Sequence, residues 1–318
     1  MTAITRATYS FSDFRTTGGE ILPEVTLAYV SRGTLAPDGR NAILVTHGYT
    51  SGPRMIEPGV ASSEGAWSTL AGPGAPIDPR TGNPYGSKFP RISVEDIVTA
   101  QKRMLDGLGV KHLRAVVGPS YGGFQAFQWG VTFPDFMDGI VPVVTSPRTA
   151  GADRVGGLLK WFAPDPNWNG GDYYTTGNVK QTLTAQRVDT LRRYGMADSL
   201  AARFPTKDEA EAELHRIAST WADGFDANSL FILGRALETF DVSARFGRIK
   251  VPVLYVLSRT DALFPPSIAP GVMAGLKQAD VDAAYFEIDS DHGHLASGAD
   301  ADKWAPALRA FMTKLETA

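Results

Sequence analysis

Apolar positions along the chain fall into short runs separated by turn residues and by stretches with helical spacing. Residues 9–14 and 26–30 alternate or run apolar on either side of Gly18-Gly19, which predicts an antiparallel hairpin. Residues 42–46 form a compact apolar run ended by His47-Gly48, as a buried parallel strand would. A helix is predicted from Ser93. Ser93-Val94-Glu95-Asp96 resembles a capping box, Val94, Ile97, Val98, Leu105 and Leu108 share one face, and Gly109 sits where the helix would stop. Further strands are expected at 113–117, 140–144, 253–257 and 284–288, with a helix over 121–131.

Strands alternating with helices imply an α/β fold, a mostly parallel central sheet with helices on both faces. Between about 148 and 250 the strand signal stops. Leu214, Ile217 and Trp221 recur at helical spacing, and residues 226–240 are similarly periodic. The reading is one α/β core, residues 1–147 and 251–318, with a helical lid, residues 148–250, over the carboxyl edge of the sheet.

Composition narrows the chemistry. Of 318 residues, 43% are apolar and 20% charged, an ordinary globular balance. A net charge of −3 gives no basic face, so neither nucleic acid nor an anionic membrane is an expected partner. With no cysteine there is no disulfide, thiolate nucleophile or Cys-based zinc site. The histidines at 47, 112, 215, 292 and 294 form no His-Glu-x-x-His pattern, and no metal or cofactor is expected. Residues 1–12 are polar and mixed, and no apolar run reaches the roughly 20 residues that span a bilayer, so a cytoplasmic location is expected.

Gly118-Pro119-Ser120-Tyr121-Gly122-Gly123 fits Gly-x-Ser-x-Gly, preceded by an apolar strand and followed by a helix-like stretch. That is the setting of a nucleophile elbow, in which a strained serine stands at a helix N-terminus. A hydroxyl needs an adjacent base, and the chain order expected in such folds is Ser, acid, His. Asp261 follows the strand at 253–257 and is the favoured acid, with Asp289 and Asp291 as rivals. His294 is the favoured base, with His292 as its rival. The oxyanion hole would combine the N–H of Tyr121 with that of Tyr49, in the loop after the strand at 42–46.

Longer motifs carry a resemblance. Asp78-Pro79-Arg80-Thr81-Gly82-Asn83-Pro84-Tyr85-Gly86, Asp165-Pro166-Asn167-Trp168-Asn169-Gly170-Gly171-Asp172-Tyr173, Phe225-Asp226-Ala227-Asn228-Ser229 and Asp261-Ala262-Leu263-Phe264-Pro265-Pro266 resemble the homoserine O-acetyltransferase-like branch of the α/β-hydrolases. The resemblance implies Ser120, Asp261 and His294 as the triad, and a helical lid that often mediates a homodimer. It also has departures. The acetyltransferases read Gly-Gly-Ser-Met-Gly-Gly at the elbow and His-Ala-Leu-Thr in the oxyanion loop, where this chain has Gly118-Pro119-Ser120-Tyr121 and His47-Gly48-Tyr49-Thr50. Their lid has Tyr-Arg-Ser where this chain has Arg192-Arg193-Tyr194-Gly195. They also carry a strand and a glycine-rich loop that this chain lacks between Gly74 and Ile77.

His47-Gly48-Tyr49-Thr50-Ser51 with Gly118-Pro119-Ser120-Tyr121-Gly122 is similar in wording to ester hydrolases of this branch, including those acting on monoalkyl phthalates. The expected activity is therefore hydrolysis of a small carboxylic ester, with acetyl-CoA-dependent homoserine O-acetylation as the alternative. A half-ester substrate carries a carboxylate, which makes Arg54 and Arg148 candidate contacts. Among the lid aromatics, Trp168 and Tyr173 are candidates for the ester's apolar portion, although lid core is the competing role.

Overall fold

The computed structural model describes residues 4–57, 77–149, 151, 153–175 and 177–317. The chain opens with a two-stranded antiparallel ribbon, β1 (Ile4–Arg15) and β2 (Ile21–Arg32), in register from Ile4 opposite Arg32 to Arg15 opposite Ile21. Then come β3 (Ala42–Val45), a two-residue pair β4 (Ile77–Asp78) and β5 (Asn83–Pro84), and α1 (Val94–Gly107). Next are β6 (Leu113–Pro119), α2 (Tyr121–Thr132) and β7 (Ile140–Val143). Five helices follow: α3 (Arg154–Phe162), α4 (Lys180–Arg193), α5 (Met196–Ala201), α6 (Lys207–Ala222) and α7 (Ala227–Glu238). The chain ends with β8 (Val253–Ser258), α8 (Ala269–Gln278), β9 (Ala283–Ile288), α9 (Ala296–Ala299) and α10 (Ala301–Thr317).

The central sheet runs β3-β6-β7-β8-β9, every neighbouring pair parallel. β8 is buried along its whole length, and its alternation sorts the two faces. Tyr255 and Leu257 pack with Val98 of α1, Phe124 and Phe127 of α2, and Leu276 of α8. Leu254 and Val256 point the other way, onto Trp304, Phe311 and Leu315 of α10. α1 begins at the Ser93 cap, where the Ser93 side chain accepts from Asp96 N–H and Asp96 accepts in return. Asp96 also takes two hydrogen bonds from Thr17, which ties the ribbon's turn to the core.

The ribbon packs Phe11, Phe14, Leu22 and Val25 on Tyr85, Phe89 and Ala100, and among the described residues it forms a sheet separate from β3. A cavity of about 890 Å³ lies between β2, β3 and α1. Among the described residues β3 is an edge strand, with Ile43 and Val45 exposed. The shortened stretch before Ile77 lies, up to residue 76, outside the described residues. Among the described residues no helix is long and apolar enough to cross a membrane.

Helices α3 to α7 build their own core from Phe162, Trp168, Leu183, Trp221, Leu230 and Phe231. At the carboxyl end of β6, strand and helix meet without room for side chains. A Cβ on Gly122 would lie 2.1 Å from the Thr46 carbonyl oxygen, and one on Gly123 would lie 2.3 Å from Thr145 Cγ2. Because the Thr46 oxygen belongs to the backbone, Gly122→Ala is expected to destabilise the fold by about 1–3 kcal/mol. A lowered urea midpoint at unchanged m-value is the measurement that checks it.

Candidate active site

Ser120 stands between β6 and α2 with φ 56° and ψ −118°, a strained backbone for a residue with a Cβ. The strain is held from both sides: Ser120 N–H donates to the Val143 carbonyl at 2.8 Å, and Thr145 Oγ1 donates to the Ser120 carbonyl at 2.9 Å. The hydroxyl is thereby raised above the carboxyl edge of the sheet, at the N-terminal end of α2.

Asp261 comes from the loop after β8 and His294 from the loop after β9. His294 Nε2 lies 2.8 Å from Ser120 Oγ, and His294 Nδ1 lies 2.8 Å from Asp261 Oδ2. With the proton on Nδ1, the imidazole can accept from the serine while Asp261 fixes its orientation. Asp261 is itself locked, its Oδ1 accepting from Leu263 N–H at 2.8 Å and Phe264 N–H at 3.2 Å. The rivals lie elsewhere. Asp289 and Asp291 are strongly exposed and both pair with Arg259, while the His292 backbone is held to Ser290 Oγ.

The oxyanion-side loop passes directly beside the serine. A Cβ on Gly48 would lie 3.9 Å from Ser120 Cβ, and Gly48 N–H is held by Ser51 Oγ at 2.9 Å. Tyr121 opens α2, where the first N–H groups have no acceptor within the helix. The Tyr49 and Tyr121 rings stack at 5.7 Å, and their hydroxyls donate to the Leu230 and Leu233 carbonyls of α7. Burial pushes both phenols well above the ordinary tyrosine range, so they remain protonated donors. The side chains of Tyr49 and Tyr121 are thus engaged in α7 rather than turned to the serine.

The other expected contacts are placed away from this cluster. Arg54 pairs with Glu57, which also holds Arg6. Arg148 is exposed, bridged through its backbone to Asp241. Trp168 stacks on Phe231 and Tyr173 within the lid core, and the Tyr173 hydroxyl donates to Asp226. Packing assigns Arg54 to an ion pair and Trp168 and Tyr173 to the lid core, while Arg148 stays exposed.

A cation that the chain's pattern did not single out sits at the site instead. Arg187 of α4 is fully buried, donates to Thr50 Oγ1 at 2.7 Å, and lies 4.7 Å over the Trp221 ring and 5.9 Å from the Tyr194 ring. Tyr194 in turn packs 4.9 Å from the His294 ring. Burial pulls the Arg187 pKa down to about 10, which still leaves it charged at neutral pH. Its sequence signal was available: Leu183, Arg187 and Leu191 are spaced i, i+4, i+8, so the arginine lies on the helix's buried stripe.

The chain matches the alpha/beta hydrolase fold family over residues 58–298. It is 33% identical over 340 residues to the homoserine O-acetyltransferase of Haemophilus influenzae, covering 92% of this chain and 93% of that protein. The chain belongs to the homoserine O-acetyltransferase-like branch of the α/β-hydrolase fold. Solved structures of esterase E22 (TM-score 0.83, 24% identity, 98% of this chain and 100% of that one) and of the homoserine O-acetyltransferase from Bacillus anthracis (TM-score 0.81, 19% identity, 98% of each) share the fold. The alignment to the Haemophilus influenzae protein, at 340 positions, is longer than this whole 318-residue chain, so that relative has residues without a counterpart here.

These relatives overturn the expectation of an ester hydrolase. At 30–33% identity over most of the chain, they are homoserine O-acetyltransferases. The physical reason the elbow wording misled is local. The Tyr121 side chain points into α7, and both reaction classes share the chemistry up to the acyl-enzyme, so residues at the elbow carry no information about the acceptor.

Asp261→Asn is expected to keep the fold but present the wrong imidazole tautomer to Ser120. Acylation of Ser120 should slow by about 10³–10⁴-fold with an unchanged melting temperature, as read by pre-steady-state acylation kinetics.

Proposed function

We propose that this chain transfers an acetyl group from acetyl-CoA to the hydroxyl of homoserine through an acetyl-Ser120 intermediate. Ser120 Oγ attacks the thioester carbonyl while His294 takes its proton, and the C–S bond breaks with that proton passing to the departing thiolate. The homoserine hydroxyl then gives its proton to His294 and attacks the acetyl-enzyme, and Ser120 leaves with the proton returned to it. The backbone N–H groups of Tyr49 and Tyr121 stabilise the oxyanion in both halves. Asp261 holds the imidazole in orientation through Nδ1.

The observation that carries the choice of acceptor is the buried Arg187 guanidinium beside Thr50, one ring away from His294. An amino-acid alcohol has a carboxylate a few bonds from its reacting hydroxyl, and a guanidinium binds a carboxylate in a bidentate, desolvated pair. The names of the relatives support the same acceptor.

Release of CoA from acetyl-CoA should depend on homoserine, and Ser120→Ala should lower it by about 10⁴–10⁶-fold. CoA release at the same rate with homoserine omitted would count against the proposal. Arg187→Met is expected to raise the KM for homoserine by about 10–100-fold, the loss of one charge-assisted hydrogen-bonded pair, while acetylation of Ser120 persists. The same variant should lose the wild type's preference for homoserine over 3-aminopropan-1-ol, which lacks the carboxylate.

A further inference from the structure

We infer that Tyr194, at the C-terminal end of α4, is a positioning residue that holds the His294 imidazole in line with Ser120 from the lid side. The inference rests on reading Ser120 as the nucleophile. It adds that the lid maintains the catalytic geometry as well as selecting the acceptor.

The core holds His294 along one edge and one face. Asp261 Oδ2 takes Nδ1 at 2.8 Å, and the Phe264 ring packs 5.6 Å away at 37°. The remaining contacts come from the lid. The Tyr194 ring lies 4.9 Å from the imidazole at 48°, and the His294 backbone N–H donates to the Tyr194 carbonyl at 3.2 Å. The two backbones are brought together through glycine on each side. Gly293 has φ +55°, and a Cβ there would lie 2.9 Å from the Tyr194 oxygen; Gly195 has φ +87°, and a Cβ there would lie 3.4 Å from the His292 oxygen. The lid corner therefore sits at its limit of approach to the histidine loop, and a ring is placed where the imidazole would otherwise swing.

The device shares its helix with the proposed acceptor site. Arg187 lies two turns before Tyr194 on α4, and its guanidinium is 5.9 Å from the Tyr194 ring. The Tyr194 hydroxyl has no part in this arrangement, so phenylalanine should serve in its place.

The test measures covalent labelling of Ser120 by a fluorophosphonate, which needs the serine and its base but neither acetyl-CoA nor homoserine. Because a displacement of about 1 Å at a reacting pair costs on the order of 10²-fold, Tyr194→Ala should label about 10–100-fold more slowly, with kcat falling in parallel. Tyr194→Phe should restore both rates to within about threefold of wild type, an amount well under 1.4 kcal/mol. Melting temperatures taken alongside separate a misfolded variant from a mispositioned base, and the phenylalanine variant carries the test if the alanine variant does not fold. Wild-type labelling rates in Tyr194→Ala, or a Tyr194→Phe variant as slow as Tyr194→Ala, would overturn the inference while leaving the nucleophile reading intact. Failure of the wild type to label would overturn both.

Discussion

Everything at this site depends on one strained residue, Ser120, held at positive φ where β6 turns into α2. A non-glycine backbone in such a region costs on the order of 1–3 kcal/mol and persists only where its surroundings over-determine it. Here the surroundings are identifiable. Val143 and Thr145, at the end of the neighbouring strand, hold the Ser120 N–H and carbonyl, and Tyr255 of β8 donates to the Thr145 carbonyl at 2.7 Å to hold that support in turn. Thr46 Oγ1 donates to the Gly122 carbonyl at 2.8 Å from the other side. Strain at the serine is thus offset across three strands, and the hydroxyl reaches its base without moving.

In the proposed reaction the choice of acceptor belongs to the lid, because the core chemistry would end at an acyl-enzyme common to hydrolases and transferases. A buried guanidinium is costly to maintain, and α4 places Arg187 on its apolar stripe all the same. The Trp221 face and Thr50 hydroxyl meet part of that cost, and a substrate carboxylate would meet more of it. In the proposed reaction, selection through one desolvated charge discriminates better than selection through apolar fit, since a substrate lacking the carboxylate forgoes a charge-assisted pair.

What the chain revealed in advance was whatever local rules decide. The Ser93 capping box, the apolar runs that became β3, β6, β7, β8 and β9, and the elbow with its strand-turn-helix context are all specified within about ten residues of chain. The order Ser, Asp, His was legible because the fold places each after a strand end. The division between His292 and His294, and between Asp261 and Asp289 or Asp291, was not decided by local pattern. It depends on loop geometry that brings one of each into line and leaves the others to Ser290 and Arg259. The substrate contacts were read from residue type alone, and there long-range packing prevailed. Arg54 found Glu57, Trp168 and Tyr173 became lid core, and Arg187 was overlooked although its i, i+4 neighbours marked it as buried.

The lid is fastened to the core around the rim of the site. Trp221 Nε1 donates to the Thr50 carbonyl at 3.0 Å, the Tyr49 and Tyr121 hydroxyls donate to carbonyls of α7, and the His294 N–H donates to the Tyr194 carbonyl. Each bond joins a lid helix to the serine's own helix, the oxyanion loop or the histidine loop, so a lid that loosens also disturbs the groups that make the acyl-enzyme. Under the proposed acetyl transfer, the acceptor would be selected from the lid side, with no difference needed in the serine, the histidine or the aspartate.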